Sequence, residues 1–155
     1  MKKDFFIRPA MVGDINDIVR LRRVMFESMG YDDAELLNKN DQFNKNYFYE
    51  NIANKNFNGW VALTSKNVVV GTVGLVIDQH PPSPNNPSGK IGYIMNLCVD
   101  KEFRRQGIAR HLMNTILDYT KKIKIQVTEL HATEIGRGLY ADLGYKDCNA
   151  MRLTI

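Results

Sequence analysis

The chain has 155 residues, of which 44% are hydrophobic and 25% charged, as expected for one globular domain with a buried core. The net charge of +4 is mild and the basic residues carry no recognised nucleic-acid-binding motif, so we expect no nucleic-acid partner. The apolar runs are too short to span a membrane and no secretory leader is visible, so we expect one cytoplasmic domain over residues 1–155.

Periodicity and turn residues predict ten elements along the chain. They are strand 5–8, helix 15–29, helix 33–54, strands 60–63, 68–77 and 91–99, helix 108–123, strand 126–132, helix 133–143 and strand 145–153. We expect Asp14 to cap the first helix and Gly30 to end it. The Asn-rich middle of the second helical region leaves open whether that helix is broken.

The order of these elements joins a hairpin half to a half built on parallel crossovers. This order predicts an α+β fold in which a mixed central β-sheet carries helices on both faces, an α/β/α layered arrangement.

The most informative segment, residues 104–109, reads Arg-Arg-Gln-Gly-Ile-Ala and lies between a strand and a helix. A loop in this position presents unpaired backbone N–H groups to an anion at the positive end of the helix. Gly107 would let the ligand approach the backbone, and Arg104 and Arg105 would add charge suited to a diphosphate. An ordinary basic loop that caps a helix is the alternative, and the segment alone does not decide between the two.

The two cysteines, Cys98 and Cys148, have no metal-ligand or Cys-x-x-Cys spacing, so we expect no metal site. Cys98 could be read as a nucleophile that carries an acyl group. Because no base is adjacent in sequence and the residue lies in a buried strand pattern, a packing role is favoured.

Three motifs together resemble the GNAT (GCN-five-related) N-acetyltransferase superfamily, and the resemblance covers the whole chain. Residues 104–109, preceded by Asn-Leu-Cys-Val-Asp at 96–100, resemble the acyl-CoA pyrophosphate loop of that family. Residues 139–145, Leu-Tyr-Ala-Asp-Leu-Gly-Tyr, are similar to its Leu-Tyr-x-x-Leu-Gly-Phe signature, and residues 6–10 to its opening strand. The resemblance implies the GNAT order β-α-α-β-β-β-α-β-α-β and acetyl-CoA as acyl donor.

The resemblance also implies which residues bind the donor. The backbone N–H groups of residues 106–110 would hold the diphosphate, and Leu97 and Val99 would pair with the pantetheine arm as an added strand does. Thr133 stands where the family often has an Asn, and its hydroxyl would replace that polar contact. The implied donor contacts are Leu97, Cys98, Val99, Arg104, Arg105, Gln106, Gly107, Ile108, Ala109, Arg110, Thr133 and Tyr140.

For the chemistry, the resemblance assigns Tyr140 as the acid that protonates the leaving thiolate. Many members of the family place a Glu or His base on the fourth strand, but residues 91–99 contain neither. His131, Glu129 and Glu134 are nearby candidate bases, of which His131 is the one we carry forward. A chain of water molecules to solvent is the other route, and a surface or capping role is the alternative for each side chain.

The resulting prediction is an N-acetyltransferase that moves an acetyl group directly to a primary amine in a ternary complex. We expect the acceptor to lie near Met25, Phe26, Met29 and Tyr31. The acidic residues of segment 32–35 would suit a cationic amine, and a free amino acid or a peptide N-terminus is equally compatible. The alternative function is a non-catalytic acyl-CoA-binding module that acts as a sensor or partner-binding domain. A homodimer remains open.

Overall fold

The computed structural model describes residues 4–155. Its elements are β1 (Phe5–Pro9), α1 (Ile15–Ser28), α2 (Ala34–Ala53), β2 (Asn58–Thr64), β3 (Val69–Gln79), β4 (Lys90–Val99), α3 (Ile108–Lys122), β5 (Val127–Glu129) and α4 (Glu134–Asp142). Short 3₁₀ turns at Val12–Asp14 and Lys101–Phe103 precede α1 and follow β4.

The sheet has the strand order β1-β2-β3-β4-β5. Its first four strands pair antiparallel, whereas β5 pairs parallel to β4, so the sheet is mixed as predicted. Alternate residues of β2 enter two different hydrophobic clusters: Trp60 and Ala62 face one, and Val61 and Leu63 face the other. Because successive side chains of a strand point to opposite faces, the clusters lie on opposite sides of the sheet.

Each face of the sheet carries its own helices. Buried Leu112, Met113 and Ile116 place α3 on one face, and residues of α4 pack against the same cluster. Buried Ile18 and Leu21 of α1, together with residues of α2, cover the other face. The α/β/α layering is therefore confirmed.

The close approach of α3 to the sheet depends on a glycine in β3. A Cβ atom at Gly71 would lie only 3.1 Å from side-chain carbons of both Ile108 and Leu112. Since this contact is made by the first turns of α3, it also fixes the position of the loop that precedes the helix.

The structure answers one open question about the predicted helices and corrects one prediction. The second helix is continuous over Ala34–Ala53. The prediction that Asp14 caps α1 is wrong, because its carboxylate accepts two bonds from Arg8, at 2.7 and 2.9 Å, and one from the Met11 N–H at 2.7 Å. Burial alone would raise the pKa of Asp14, but these bonds outweigh it and the net pKa is lowered. This buried ion pair ties β1 to the start of α1.

The C-terminal prediction also needs correction. The strand expected at 126–132 is limited to Val127–Glu129, and the strand expected at 145–153 does not form. A strand needs an edge of matching length to pair with, and β5 offers only three residues. The segment is instead held at its start by the Tyr145 hydroxyl, which lies 2.8 Å from the Thr128 hydroxyl, and residues 146–155 are exposed.

Candidate active site

The sheet opens beside β4. Strand β5 pairs with β4 only at Ile91, Gly92 and Tyr93, whereas β4 continues to Val99. From residue 94 to residue 99, β4 therefore has no strand partner on its β5 side among residues 4–155. Backbone groups along such an edge are free to pair with an extended ligand.

A bulge lies within this open stretch of β4. The residue opposite Gly74 on β3 is Met95, but the residue opposite Thr72 is Cys98, so β4 holds one extra residue there. Asn96 has a φ of +58°, in the left-handed region that few non-glycine residues adopt. The extra residue turns Leu97 toward the α3 side of the sheet and Cys98 toward the α1 side.

The loop between β4 and α3 exposes a run of backbone donors. Arg105 and Gly107 have φ values of +62° and +85°, and α3 begins at Ile108 without a side-chain cap. None of the six N–H groups from residue 105 to residue 110 donates a hydrogen bond to another group of the described chain. Six consecutive free donors at the positive end of a helix form a candidate anion site.

The basic side chains of this loop are partly committed to the protein. Arg104 donates from Nε to the Val99 carbonyl at 3.1 Å and from a terminal nitrogen to the Ser28 hydroxyl at 3.2 Å. Arg110 pairs with Asp142 at 2.8 Å, which links the start of α3 to α4. Arg104 and Arg110 thus brace the loop, and the free donors of the candidate anion site are backbone groups.

His111 is a loop-supporting residue that sequence reasoning missed. Its Nδ1 lies 2.8 Å from the Gly107 carbonyl, one turn earlier. A Cβ atom at Gly107 would meet the same Nδ1 at 3.6 Å, an ordinary contact. The requirement for glycine at 107 in the free protein is therefore its positive φ. The four-residue spacing between Gly107 and His111 predicts this bond only when the start of α3 is already known.

Tyr140 lies on α4 and packs against the same hydrophobic cluster as Leu97 and Ala109, on one face of the sheet. Burial raises the pKa of Tyr140 to about 12. Its hydroxyl makes no hydrogen bond to another described residue, and its ring lies so close to Gly136 that a Cβ there would be 2.8 Å from the ring edge. The phenol is thus held in place by packing and keeps its proton at neutral pH.

Two further candidates have structural partners. The Thr133 hydroxyl accepts a bond from the Gly136 N–H at 3.3 Å and caps α4. Cys98 is buried, and burial raises the pKa of its thiol to about 11. A thiol with that pKa stays protonated at neutral pH, which agrees with a packing role.

His131 follows β5 at the surface, and both of its ring nitrogens have neighbours. Nδ1 contacts the Tyr93 hydroxyl of β4, and Nε2 lies 3.1 Å from a guanidinium nitrogen of Arg152. Because a guanidinium only donates, Nε2 accepts that bond and the neutral ring carries its hydrogen on Nδ1.

The four predicted acceptor-side residues lie at the end of α1. Met25 and Phe26 are half-buried, whereas Met29 and Tyr31 are about half exposed, and the rings of Phe26 and Tyr31 meet edge to face at 5.7 Å. The Arg22 guanidinium lies 4.9 Å from the Phe26 ring centre.

Beside Arg22 the structure contains a cavity of about 370 Å³ between α1, α2 and β4. Sequence reasoning missed its lining, because these residues are far apart in the chain and share no local motif. The lining residues are Arg22, Phe43, Asn44, Tyr47, Phe48 and Met95.

Within residues 4–155, no group of three or more His, Cys, Asp and Glu side chains is arranged to hold a metal ion. No helix in this part of the chain is long and apolar enough to cross a membrane.

Comparison with known proteins decides the family. The model of the acetyltransferase (GNAT) family matches residues 18–145. The chain belongs to this family. A GCN5-related N-acetyltransferase from Ralstonia eutropha JMP134 is 31% identical and superposes with a TM-score of 0.90 over 98% of this chain and 99% of that one. The resemblance of the sequence motifs to this family is confirmed.

Two further relatives are informative. A predicted acetyltransferase from Clostridium acetobutylicum, solved with acetyl-CoA, is 25% identical with a TM-score of 0.87, covering 97% of this chain and 96% of that one. Human N-acetyltransferase 8B is 36% identical over 90 residues, which are 56% of this chain. The match spans only 37% of the length of the human protein.

Proposed function

We propose that this GNAT protein transfers an acetyl group from acetyl-CoA to a primary amine by direct attack in a ternary complex. The run of free N–H groups at residues 105–110, placed at the end of the open stretch of β4, is the observation that carries the proposal. A diphosphate fits the donors, and an extended arm fits the strand edge. The Clostridium acetobutylicum relative solved with acetyl-CoA supports the same donor.

We propose that the thioester lies beside the bulge in β4. In this proposal the pantetheine arm pairs with the backbone of Leu97 and Val99, and a backbone N–H near Leu97 or Cys98 polarises the thioester carbonyl. A hydrogen-bond donor that is already oriented toward the developing oxyanion stabilises the transition state of acyl transfer effectively. The Thr133 hydroxyl accepts a bond from the Gly136 N–H, which leaves its own hydrogen able to donate to acetyl-CoA in this proposal.

The reaction balances with a single proton released. The amine nitrogen bonds to the carbonyl carbon, the carbon–sulfur bond breaks, and the sulfur takes a proton to leave as free CoA thiol. The ammonium form of the acceptor loses two protons in all, one before attack and one from the amide nitrogen. One of these two protons corresponds to the proton that the sulfur gains, and the other goes to solvent.

Tyr140 is the acid proposed to protonate the sulfur. Burial favours its neutral form, so the proton is present at every pH at which the protein works. The same burial raises the energy of a bare thiolate, so proton transfer can accompany the breaking of the carbon–sulfur bond. For the first amine proton, the geometry favours water over His131, whose Nε2 lone pair faces Arg152.

A thiol-release assay with acetyl-CoA and a panel of amines, beside a protein-substrate control, tests the proposal. We expect a free-thiol signal that depends on both acetyl-CoA and one class of amine, with an acetylated product confirmed by mass. If calorimetry shows acetyl-CoA binding but no acceptor causes release of the CoA thiol, the protein would instead be a non-catalytic acyl-CoA-binding module. Failure to bind acetyl-CoA would contradict both functions.

A further inference from the structure

Arg22 differs from most arginines of this protein in having no anionic partner. Five others form ion pairs with Asp or Glu side chains: Arg8, Arg20, Arg23, Arg110 and Arg137. For Arg22, no carboxylate of residues 4–155 lies within 4.0 Å, although its side chain is half-buried. Burial lowers its pKa, because the charged guanidinium loses water.

The hydrogen bonding of Arg22 is also incomplete. Its Nε is buried and has no acceptor among residues 4–155. One terminal nitrogen makes only a long contact, 3.4 Å, with the Oδ1 of Asn96, whose own Nδ2 is buried and without an acceptor in the described chain. A buried charged donor without an acceptor destabilises a fold, and a ligand anion that pairs with the guanidinium would offset part of that cost.

The cavity beside Arg22 is otherwise lined largely by apolar groups. Phe43, Tyr47 and Phe48 of α2 and Met95 of β4 form most of its wall, and Phe43 is 70% exposed at its rim. A volume of about 370 Å³ suits a small molecule. One cation among aromatic and thioether side chains matches a ligand with one anionic group and an apolar remainder.

The position of the cavity excludes the donor diphosphate as that anion. The end of α1 that lies near the loop before α3 is at Ser28, which Arg104 contacts. Arg22 precedes Ser28 by six residues, a distance of about 9 Å along the helix. At that level Arg22 meets Asn96 in the β4 bulge. The guanidinium therefore lies beside the place where the proposed function puts the thioester, at the acyl end of the donor.

We propose that the acceptor is a small α-amino acid with an apolar side chain, whose carboxylate pairs with Arg22 while its side chain fills the cavity against Phe43, Tyr47 and Met95. This rests on the proposed acetyl transfer. In an α-amino acid the amine is one carbon from the carboxylate, so anchoring the carboxylate at the level of the bulge holds the nitrogen close to the thioester. The guanidinium favours this acceptor over a polyamine, which carries only positive charge.

The test uses the intact protein and matched pairs of amines in the thiol-release assay. Phenylalanine is compared with phenethylamine, and methionine with 3-(methylthio)propylamine, so that each pair differs only in the carboxylate. Spermidine represents the cationic class and glucosamine 6-phosphate the phosphate-bearing class. We expect kcat/KM for each amino acid to exceed that of its decarboxylated partner by about tenfold to hundredfold.

Arg22→Gln should remove this preference. We expect the ratio of kcat/KM for phenylalanine to that for phenethylamine to fall to about one, while the affinity for acetyl-CoA stays as in the parent. Arg137→Gln is the matched control: it removes an exposed guanidinium that pairs with Asp147 on the α4 side of the molecule, and it should keep the full preference.

The possible failures are distinguishable. Thiol release with equal or better rates for the decarboxylated amines, for spermidine or for the phosphate-bearing amine would overturn the amino-acid assignment and leave acetyl transfer standing. The same holds if Arg22→Gln lowers the rates of both members of a pair equally. If acetyl-CoA binds but no amine causes release of the CoA thiol, both the proposed acetyl transfer and this inference are refuted.

Discussion

The two sides of the β4 bulge differ in which groups form them: backbone groups on one side and side chains on the other. On the side where we propose that acetyl-CoA binds, the candidate anion site consists of backbone N–H groups at residues 105–110 and of an unpaired strand edge. On the acceptor side, the cavity consists of side chains from α1, α2 and β4 around Arg22. A backbone site requires only certain φ angles, so it constrains few residue types, whereas a side-chain site can change its ligand by substitution.

This difference explains which substitutions each of the two sites can tolerate. A common cofactor is suited to a site that depends on backbone conformation, since most side chains of the loop are free to vary. An acceptor site made of side chains can be specific to one protein, and Arg22 with its aromatic neighbours is such a set. The following predictions separate the two halves, beginning with the largest effect.

Gly107→Val should abolish acetyl-CoA binding, as measured by calorimetry. The φ of +85° at this position is a genuine outlier for a β-branched residue, so the loop must change shape and its N–H groups no longer converge. Gly30→Val is the matched control, because Gly30 also has a positive φ, +98°, and open space around it. The control should lose comparable thermal stability and keep its affinity. Equal affinity of Gly107→Val and the parent would refute the anion site.

Tyr140→Phe should lower turnover about a hundredfold without a matching loss of stability. The phenol makes no hydrogen bond within the described chain, so only the proton is removed. Tyr145→Phe should do the opposite: it loses the bond to Thr128, and we expect the free energy of unfolding to fall by about 1 kcal/mol with turnover retained. Denaturant unfolding and steady-state rates of the two variants give the comparison.

The same tyrosine sets an expectation for the pH dependence. Because burial raises the pKa of Tyr140 to about 12, the acid is lost only when the pH rises through that value. The rate of the parent should therefore show no alkaline decline due to Tyr140 below about pH 11. A decline at lower pH that disappears in Tyr140→Phe would contradict this assignment.

The free N–H groups before α3 could be predicted from the sequence because their signals are local. A strand, a glycine and a helix start are consecutive, and their order predicts free N–H groups whatever the rest of the fold does. The layered mixed sheet was also predictable, since strand and helix periods follow the chain. The structure agrees with both, and it adds the β4 bulge at Asn96, for which the chain offers only an ordinary Asn within an apolar run.

The errors and omissions have a different origin. The strand predicted at 145–153 has the right alternation but no edge to pair with, and edge length is a property of the assembled sheet. The carboxylate of Asp14 was available to cap a helix, but Arg8 from another element competes for it. The cavity around Arg22 joins residues 22, 43–48 and 95, which only the packing of three elements brings together.

The smallest effect is expected at His131, where the sequence left open a choice between a histidine base and water. A general base must have a free lone pair aimed at the proton it takes. At His131 the Nε2 lone pair already accepts from Arg152, and Nδ1 contacts the Tyr93 hydroxyl, so the exposed ring has no free acceptor atom.

We therefore expect His131→Gln to leave the pH–rate profile of the parent in place, with the first amine proton leaving through water. If an imidazole were the base, the parent rate would fall as the pH drops below about 6.5, and the variant would lose that acidic limb. Arg152→Gln refines the test, because it frees Nε2 while keeping the ring. An acidic limb that is lost in His131→Gln and shifts in Arg152→Gln would establish His131 as the base, and the acceptor side would then include a residue beyond α1, α2 and β4.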